Sequence, residues 1–104
     1  MVDAVKNNLE AIYDACKKYH VESLYLFGSG ARGEEYNLES DLDFIFQYKK
    51  DNEGLPLYPF DYFDLLFTLE KITGKKVDLV AEEKIKNKYF IERVNKEKIS
   101  IYES

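Results

Sequence analysis

A glycine-rich turn followed by an alternating acidic segment constrains this chain more than any other feature. The turn reads GSGARG at residues 28–33 and follows the apolar run LYLF at residues 24–27. The acidic segment reads SDLDF at residues 40–44. An apolar run that ends at glycine predicts a buried strand closed by a turn. Alternation of acidic and apolar residues predicts a second strand over residues 42–48.

The acidic residues of the second segment are spaced so that their side chains lie together. Asp41 and Asp43 are two positions apart, and in a strand such residues project from the same face. Two adjacent carboxylates repel each other, so keeping them half-buried is costly without a cation. Mg²⁺ binds one or two carboxylates together with substrate phosphates, and a glycine turn offers backbone N–H groups to phosphates. The two segments therefore predict a site for a metal-bound nucleoside triphosphate.

A third acidic residue lies in an otherwise apolar segment. Asp78 belongs to the sequence VDLV at residues 77–80, which predicts a third strand. A carboxylate in a strand composed for burial is costly unless it is paired or bound to a metal. If this strand lies beside the one carrying Asp43, three aspartates can hold two Mg²⁺ ions about 3.5–4 Å apart. The alternative is that Asp78 is a surface residue at a strand end.

The rest of the chain alternates between helical and extended patterns. Apolar spacing predicts helices over residues 3–19, 60–72 and 88–97, and an extended segment over residues 99–102. Residues 49–59 predict a loop, and Gly74 a helix cap. On the predicted middle helix we expect one apolar face, formed by Phe60, Phe63, Leu66, Phe67, Leu69 (or Glu70) and Ile72. This order predicts one α/β or α+β domain over residues 1–104, with helices packed on a sheet.

Composition narrows the class of protein and its partners. The chain has 104 residues, 45% of them hydrophobic, which favours a folded domain. Its net charge of −5 makes nucleic acid an unlikely primary partner. One cysteine and one histidine argue against a zinc site and favour a reducing cytoplasm. No apolar stretch approaches membrane-spanning length, so we expect no membrane association.

The three motifs, in this order, resemble the signature of the DNA polymerase beta-like nucleotidyltransferase superfamily. GSGARG at residues 28–33, SDLD at residues 40–43 and GKKVDLV at residues 74–80 are most similar to its minimal nucleotidyltransferase branch. The resemblance covers essentially the whole chain. It implies a short mixed sheet flanked by helices. It also implies Mg²⁺-dependent transfer of a nucleoside monophosphate, AMP from ATP, to a hydroxyl group with release of pyrophosphate.

The resemblance also implies roles for the three aspartates. Asp41 and Asp43 would bind the metal ions. Asp78 would bind the metal beside the acceptor hydroxyl and help to deprotonate that hydroxyl. The competing interpretation of Asp41 and Asp43 is a pair of solvated charges at a sheet edge.

Four further residues match the phosphate-binding part of the motif. Gly28 and Ser29 would hold the β- and γ-phosphates, and Arg32 would neutralise charge on the phosphates or on the leaving pyrophosphate. For Ser29 a helix N-cap is an equal alternative, and for Arg32 a surface ion pair with a nearby glutamate is another. Ser40 either belongs to the same phosphate site or orients the loop into Asp41.

The branch that this chain resembles implies a protein partner. Its members are often encoded beside a helical protein of the HEPN type, act as antitoxins, and in some cases adenylylate a tyrosine of that toxin. All three candidate carboxylates are present here, which favours an active enzyme. The alternative is a non-catalytic antitoxin that neutralises its partner by binding. A regulatory nucleotide-binding or RNA-acting domain is disfavoured by the acidic net charge.

Overall fold

The computed structural model describes residues 3–28, 42–55 and 62–103. Within these residues helices and strands alternate along the chain, as the sequence pattern predicts. The strand that begins at Leu42 lies beside the segment that ends at Lys76, because the Leu42 N–H donates to the Lys76 carbonyl at 2.9 Å. The elements are α1 (Asp3–Lys6), α2 (Leu9–Lys18), β1 (Val21–Phe27), β2 (Leu42–Tyr48), α3 (Tyr62–Thr73), β3 (Val77–Ala81), a 3₁₀ turn (Glu82–Lys84), α4 (Lys88–Glu97) and β4 (Ile99–Glu103).

The described strands form one mixed sheet in the order β3-β2-β1-β4. β1 is antiparallel to both β2 and β4, whereas β2 and β3 are parallel. Parallel neighbours need a crossover connection, and α3 lies within the connection from β2 to β3. The mixed sheet flanked by helices is the fold class that the resemblance implied. Its order brings the second and third predicted strands side by side.

The main core lies on the sheet face that packs against α2 and α3. Alternate residues of β2 are fully or almost fully buried, as strand periodicity requires, and they belong to one apolar cluster with side chains of both helices. The alternation predicted for this strand is therefore confirmed, because Leu42, Phe44 and Phe46 lie on the core face and Asp43 lies on the opposite face. The core also contains Val5, Ile12, Cys16, Val21, Leu24, Leu26, Leu65, Leu69, Val77, Leu79 and Ile101.

The opposite face of the sheet is covered in part by α4. Ile45 and Val94 are buried, and the ring of Phe27 meets the ring of Phe90 edge to face, with centroids 5.6 Å apart. This geometry is favourable for aromatic pairs. The face that carries Asp43 is thus bounded by an apolar helix surface rather than lying open along its whole length.

The predicted first helix is divided in two. α1 ends at Lys6 and α2 begins at Leu9, with Asn7 and Asn8 between them. The Asn8 side-chain amide donates to the Ala4 carbonyl at 2.7 Å. Asparagine side chains compete in this way with helical backbone hydrogen bonds, so a continuous helix over residues 3–19 was a wrong prediction.

The predicted apolar face of α3 was also partly wrong. Phe63 and Phe67 are each 60% exposed, and the buried residues of α3 are Leu65, Leu69 and Thr73. Residues four apart share a helix face, so the buried positions form one stripe and the two phenylalanines form another. α3 is apolar on several sides, and periodicity alone does not choose which side packs on the sheet. Phe60, the first residue of the predicted face, lies outside the described residues.

Burial makes the single thiol of this chain unreactive. Cys16 lies in the core with no exposed surface, and burial raises its pKa to about 12. At pH 8 the thiolate fraction is then on the order of 10⁻⁴, against roughly a quarter for a free cysteine. We expect no labelling by a thiol reagent at pH 8 within an hour, and complete labelling in guanidinium chloride. Fast stoichiometric labelling of the native protein would contradict the buried position.

Candidate active site

Asp43 and Asp78 lie directly opposite each other on neighbouring strands. In the parallel pair of β2 and β3, Asp43 pairs with Asp78, and neighbouring strands are about 4.7–4.9 Å apart. Paired residues of adjacent strands project from the same face. This is the face opposite the main core, where Asp43 is half-buried and Asp78 is exposed. Strand pairing therefore brings two carboxylates side by side.

Gly28 lies against the carboxylate of Asp43. It follows β1 directly, and Phe27, the last residue of β1, pairs with Asp43 across the sheet. Gly28 has φ +81°, which L side chains rarely adopt, and a Cβ atom built there would lie 2.8 Å from Asp43 Oδ2. The absence of a side chain at position 28 thus leaves room for this carboxylate. The start of the glycine turn and the first of the paired aspartates form one local structure.

A cavity of about 300 Å³ adjoins the carboxylate pair. Its size lies at the lower end of the range for small-molecule sites. Apart from the two aspartates its described lining is apolar, and such walls strengthen electrostatic interactions by excluding water. The described lining residues are Phe27, Asp43, Phe44, Ile45, Asp78, Val80 and Phe90.

The residues present fit a hard divalent cation. The two side chains supply only carboxylate oxygens, which suit Mg²⁺ rather than Zn²⁺. Gly28 has no Cβ at the place where Asp43 Oδ2 lies, so this carboxylate oxygen keeps its position beside the glycine turn. Among the described residues no cluster of three or more metal-binding side chains occurs. At this site the described residues therefore supply two carboxylates, those of Asp43 and Asp78.

Four predicted site residues lie outside the described residues. These are Ser29, Arg32, Ser40 and Asp41. Their roles stay predictions.

The structure corrects one premise about Asp78. The sequence pattern suggested a carboxylate in a buried strand, whereas the Asp78 side chain is exposed. β3 lies at the edge of the sheet, so alternate side chains of this strand reach solvent while Val77 and Leu79 pack in the core. Solvent access lowers the cost of holding the charge and leaves the carboxylate accessible to a substrate.

Sequence reasoning did not identify Tyr62 and Phe90 at this site. Phe90 lines the cavity from α4, and the Tyr62 hydroxyl donates a hydrogen bond to the Leu79 carbonyl beside Asp78. Burial raises the pKa of the Tyr62 hydroxyl, and the negative charge of Asp78 raises it further. The helical patterns predicted the elements that carry these residues. Their positions at the site depend on how those helices pack on the sheet.

Comparisons with known proteins give a family match over most of the chain. The family model described as "Polymerase beta, Nucleotidyltransferase" matches residues 10–104. A curated relative from Methanocaldococcus jannaschii, named "Putative protein adenylyltransferase MJ1379", is 40% identical over 86 residues, which are 81% of this chain and 80% of the relative.

Two solved structures have the same fold. One is described as "Structure of putative minimal nucleotidyltransferase" and is 31% identical, with a TM-score of 0.73 over 93% of this chain and 92% of that chain. Another contains a tri-AMPylated Shewanella oneidensis HEPN toxin in complex with an MNT antitoxin. It is 17% identical, with a TM-score of 0.62 over 95% of this chain and 72% of that chain, and at this identity the likeness concerns the fold. Among the described helices of the present chain, none has the length and apolar character needed to cross a membrane.

Proposed function

Since this chain belongs to the polymerase beta nucleotidyltransferase family, we propose that it transfers AMP from Mg²⁺-bound ATP to a hydroxyl group of a protein. The observation that carries the proposal is the pairing of Asp43 with Asp78, with Gly28 held against Asp43. The name of the relative that is 40% identical supports AMP as the transferred group and a protein as the acceptor. The proposal assigns this activity to a single domain over residues 1–104.

The aspartates would organise the reacting groups. Asp43 and Asp78, together with Asp41, would hold two Mg²⁺ ions, which neutralise phosphate charge and lower the pKa of the acceptor hydroxyl when bound. Asp78 would accept the hydroxyl proton as the oxygen attacks the α-phosphorus. The bond from that phosphorus to the bridging oxygen breaks, and pyrophosphate leaves. The apolar walls of the cavity would exclude water, which would otherwise compete as the acceptor.

The glycine turn would bind the leaving part of the nucleotide. Gly28 and Ser29 would donate backbone N–H groups to the β- and γ-phosphates, a use of glycine turns found in many phosphate sites. Arg32 would offset the charge that develops on pyrophosphate. Ser40 would contact the phosphates or orient the segment that leads into Asp41. The close packing of Gly28 against the Asp43 carboxylate supports a phosphate-binding turn that begins beside the proposed metal ligands.

A protein of the HEPN type is the partner that we propose. One solved structure of the same fold is a complex of an AMPylated HEPN toxin with an MNT antitoxin, and this supports a partner of the same class here. The reaction would take place in the cytoplasm, where ATP is available and the free thiol of Cys16 stays reduced.

A second candidate function is neutralisation of the partner by binding alone. The observation that favours it is the exposed pair Phe63 and Phe67, whose ring centroids are 6.1 Å apart on the outer side of α3. Exposed apolar patches of this kind are typical of protein–protein interfaces. An antitoxin of this type would not need the paired carboxylates.

Transfer of label from α-labelled ATP separates the two functions. The acceptor would be the product of the neighbouring gene, incubated with Mg²⁺ and either the wild type or the Asp41→Asn/Asp43→Asn variant. We expect label on the partner with the wild type alone, and equal labelling by an Asp14→Asn variant, because Asp14 is an exposed carboxylate on α2. If none of the four α-labelled nucleoside triphosphates labels the partner while the two proteins still associate, neutralisation by binding is favoured.

A further inference from the structure

α3 holds the strand that carries Asp78 at two points. The Tyr62 hydroxyl donates to the carbonyl of Leu79, and the Val77 N–H donates to Glu70 Oε2 at 3.1 Å. Val77 and Leu79 are the residues immediately before and after Asp78. The two side chains come from opposite ends of α3, so the helix holds the backbone on both sides of the acidic residue.

These contacts matter because β3 lies at the edge of the sheet. Among the described strands, β2 is its only neighbour. A strand with one neighbour forms ladder hydrogen bonds on one side only, so its position depends more on other contacts. The register that places Asp78 opposite Asp43 therefore rests on the β2 pairing and on the bonds from α3.

Tyr62 also contacts the strand that carries Asp43. Its ring packs against that of Phe46 in β2, with centroids 6.2 Å apart, while its hydroxyl reaches β3. One side chain thus touches both strands of the carboxylate pair. Burial and the nearby charge of Asp78 both raise the pKa of the hydroxyl, so it keeps its proton at neutral pH and remains a donor.

We propose that Tyr62 and Glu70 are positioning residues that fix the Asp78 carboxylate opposite Asp43. The position of this carboxylate then determines the affinity for a divalent cation and the rate of AMP transfer. The inference rests on the proposed function for its consequence in catalysis. The claim that Tyr62 and Glu70 hold Asp78 in position does not depend on catalysis, and cation binding alone can test it. Partners that orient a metal-binding side chain typically contribute 10–100-fold in affinity or activity, as an order of magnitude.

The first test removes one hydroxyl group. Tyr62→Phe keeps the ring against Phe46 and loses the bond to Leu79. We expect the Mn²⁺ dissociation constant, measured by electron paramagnetic resonance without nucleotide, to rise about 10-fold and kcat for AMP transfer to fall about 10-fold. The matched control is Tyr13→Phe, which removes a tyrosine hydroxyl on α2, where the ring lies beside Tyr102. It is expected to leave both values unchanged.

The second test changes the acceptor at the other end of α3. Glu70→Gln keeps an oxygen that can accept the Val77 N–H, whereas Glu70→Met has similar length and no such oxygen. We expect near wild-type Mn²⁺ affinity and kcat for Glu70→Gln, and loss of both for Glu70→Met. The Val77 amide proton, followed by NMR, should move upfield and exchange faster with solvent in Glu70→Met only.

The results separate positioning from general stability and from the proposed function. If Tyr62→Phe and Glu70→Met unfold at lower denaturant concentration but keep the wild-type Mn²⁺ affinity and kcat, the positioning role is wrong. If Glu70→Gln loses as much as Glu70→Met, the hydrogen bond to Val77 is not the cause and the inference fails for Glu70. If the wild type transfers no AMP, the proposed function fails, and the Mn²⁺ titrations and the Val77 amide signal still decide the place of Asp78.

Discussion

Replacing Asp78 by asparagine is expected to lower kcat for AMP transfer by about 10³-fold, because a ligand and proton acceptor worth several kcal/mol in the transition state is lost. Asparagine has nearly the same shape but carries no charge and does not accept the hydroxyl proton. The KM for ATP should change little, since Asp78 is proposed to act beside the acceptor hydroxyl. Initial rates of partner labelling, measured over a range of ATP concentrations, give both constants.

Folding should be preserved in this variant. Asp78 is exposed at the sheet edge, and removing one of two neighbouring like charges relieves repulsion. Thermal unfolding of Asp78→Asn should therefore occur at or slightly above the wild-type temperature, and Asp14→Asn should match the wild type in rate. A kcat for Asp78→Asn within a factor of three of the wild type would contradict the role assigned to this carboxylate.

Replacing Gly28 by alanine is expected to reduce transfer by about 100-fold through the position of Asp43. The added Cβ would lie 2.8 Å from Asp43 Oδ2, which is closer than such atoms approach, so the carboxylate must rotate away. A displacement of this size moves a proposed metal ligand out of place. Positive φ adds about 1–2 kcal/mol of backbone strain in the folded state. Labelling rates and the free energy of unfolding, measured on the same preparation, report the two effects.

Gly54 provides a matched control for the strain. It has φ +82°, nearly the value at Gly28, and a Cβ there would meet no atom within 4 Å. Gly54→Ala should therefore lose a similar amount of stability and keep the wild-type kcat. If both variants lose activity equally, backbone strain and not the approach to Asp43 explains the Gly28 effect. If neither variant loses activity, the contact between Gly28 and Asp43 has no catalytic consequence.

Sequence periodicity predicted most of the described elements. The strand over residues 42–48 and the helix over residues 88–97 were predicted with the bounds that the structure has. Gly74 ends α3 with φ +68°, and its N–H donates to the Glu70 carbonyl at 2.9 Å, as expected for a helix cap. These features depend on side chains and backbone within a few residues of each other, so local sequence is sufficient to predict them.

Predictions failed where two local patterns compete or where packing chooses between them. Asn8 bonds back to Ala4 and divides a helix that apolar spacing alone would continue. Phe63 and Phe67 fit a helical stripe as well as Leu65 and Leu69 do, yet only the leucines pack on the sheet. A helix that is apolar on several sides can be docked in more than one rotation, and complementarity with the sheet selects one.

For the candidate site, the sequence by itself determined the residue types, their spacing and the alternation that sends Asp43 away from the core. It also determined that the chain belongs to the nucleotidyltransferase family, because the motifs lie in order along one chain. Only the tertiary structure decided that Asp43 and Asp78 are opposite each other, that Gly28 leaves room for a carboxylate, and that Tyr62 and Glu70 reach β3. The physical reason is that strand order and helix docking are set by the burial of apolar faces from distant parts of the chain, which short-range patterns do not encode.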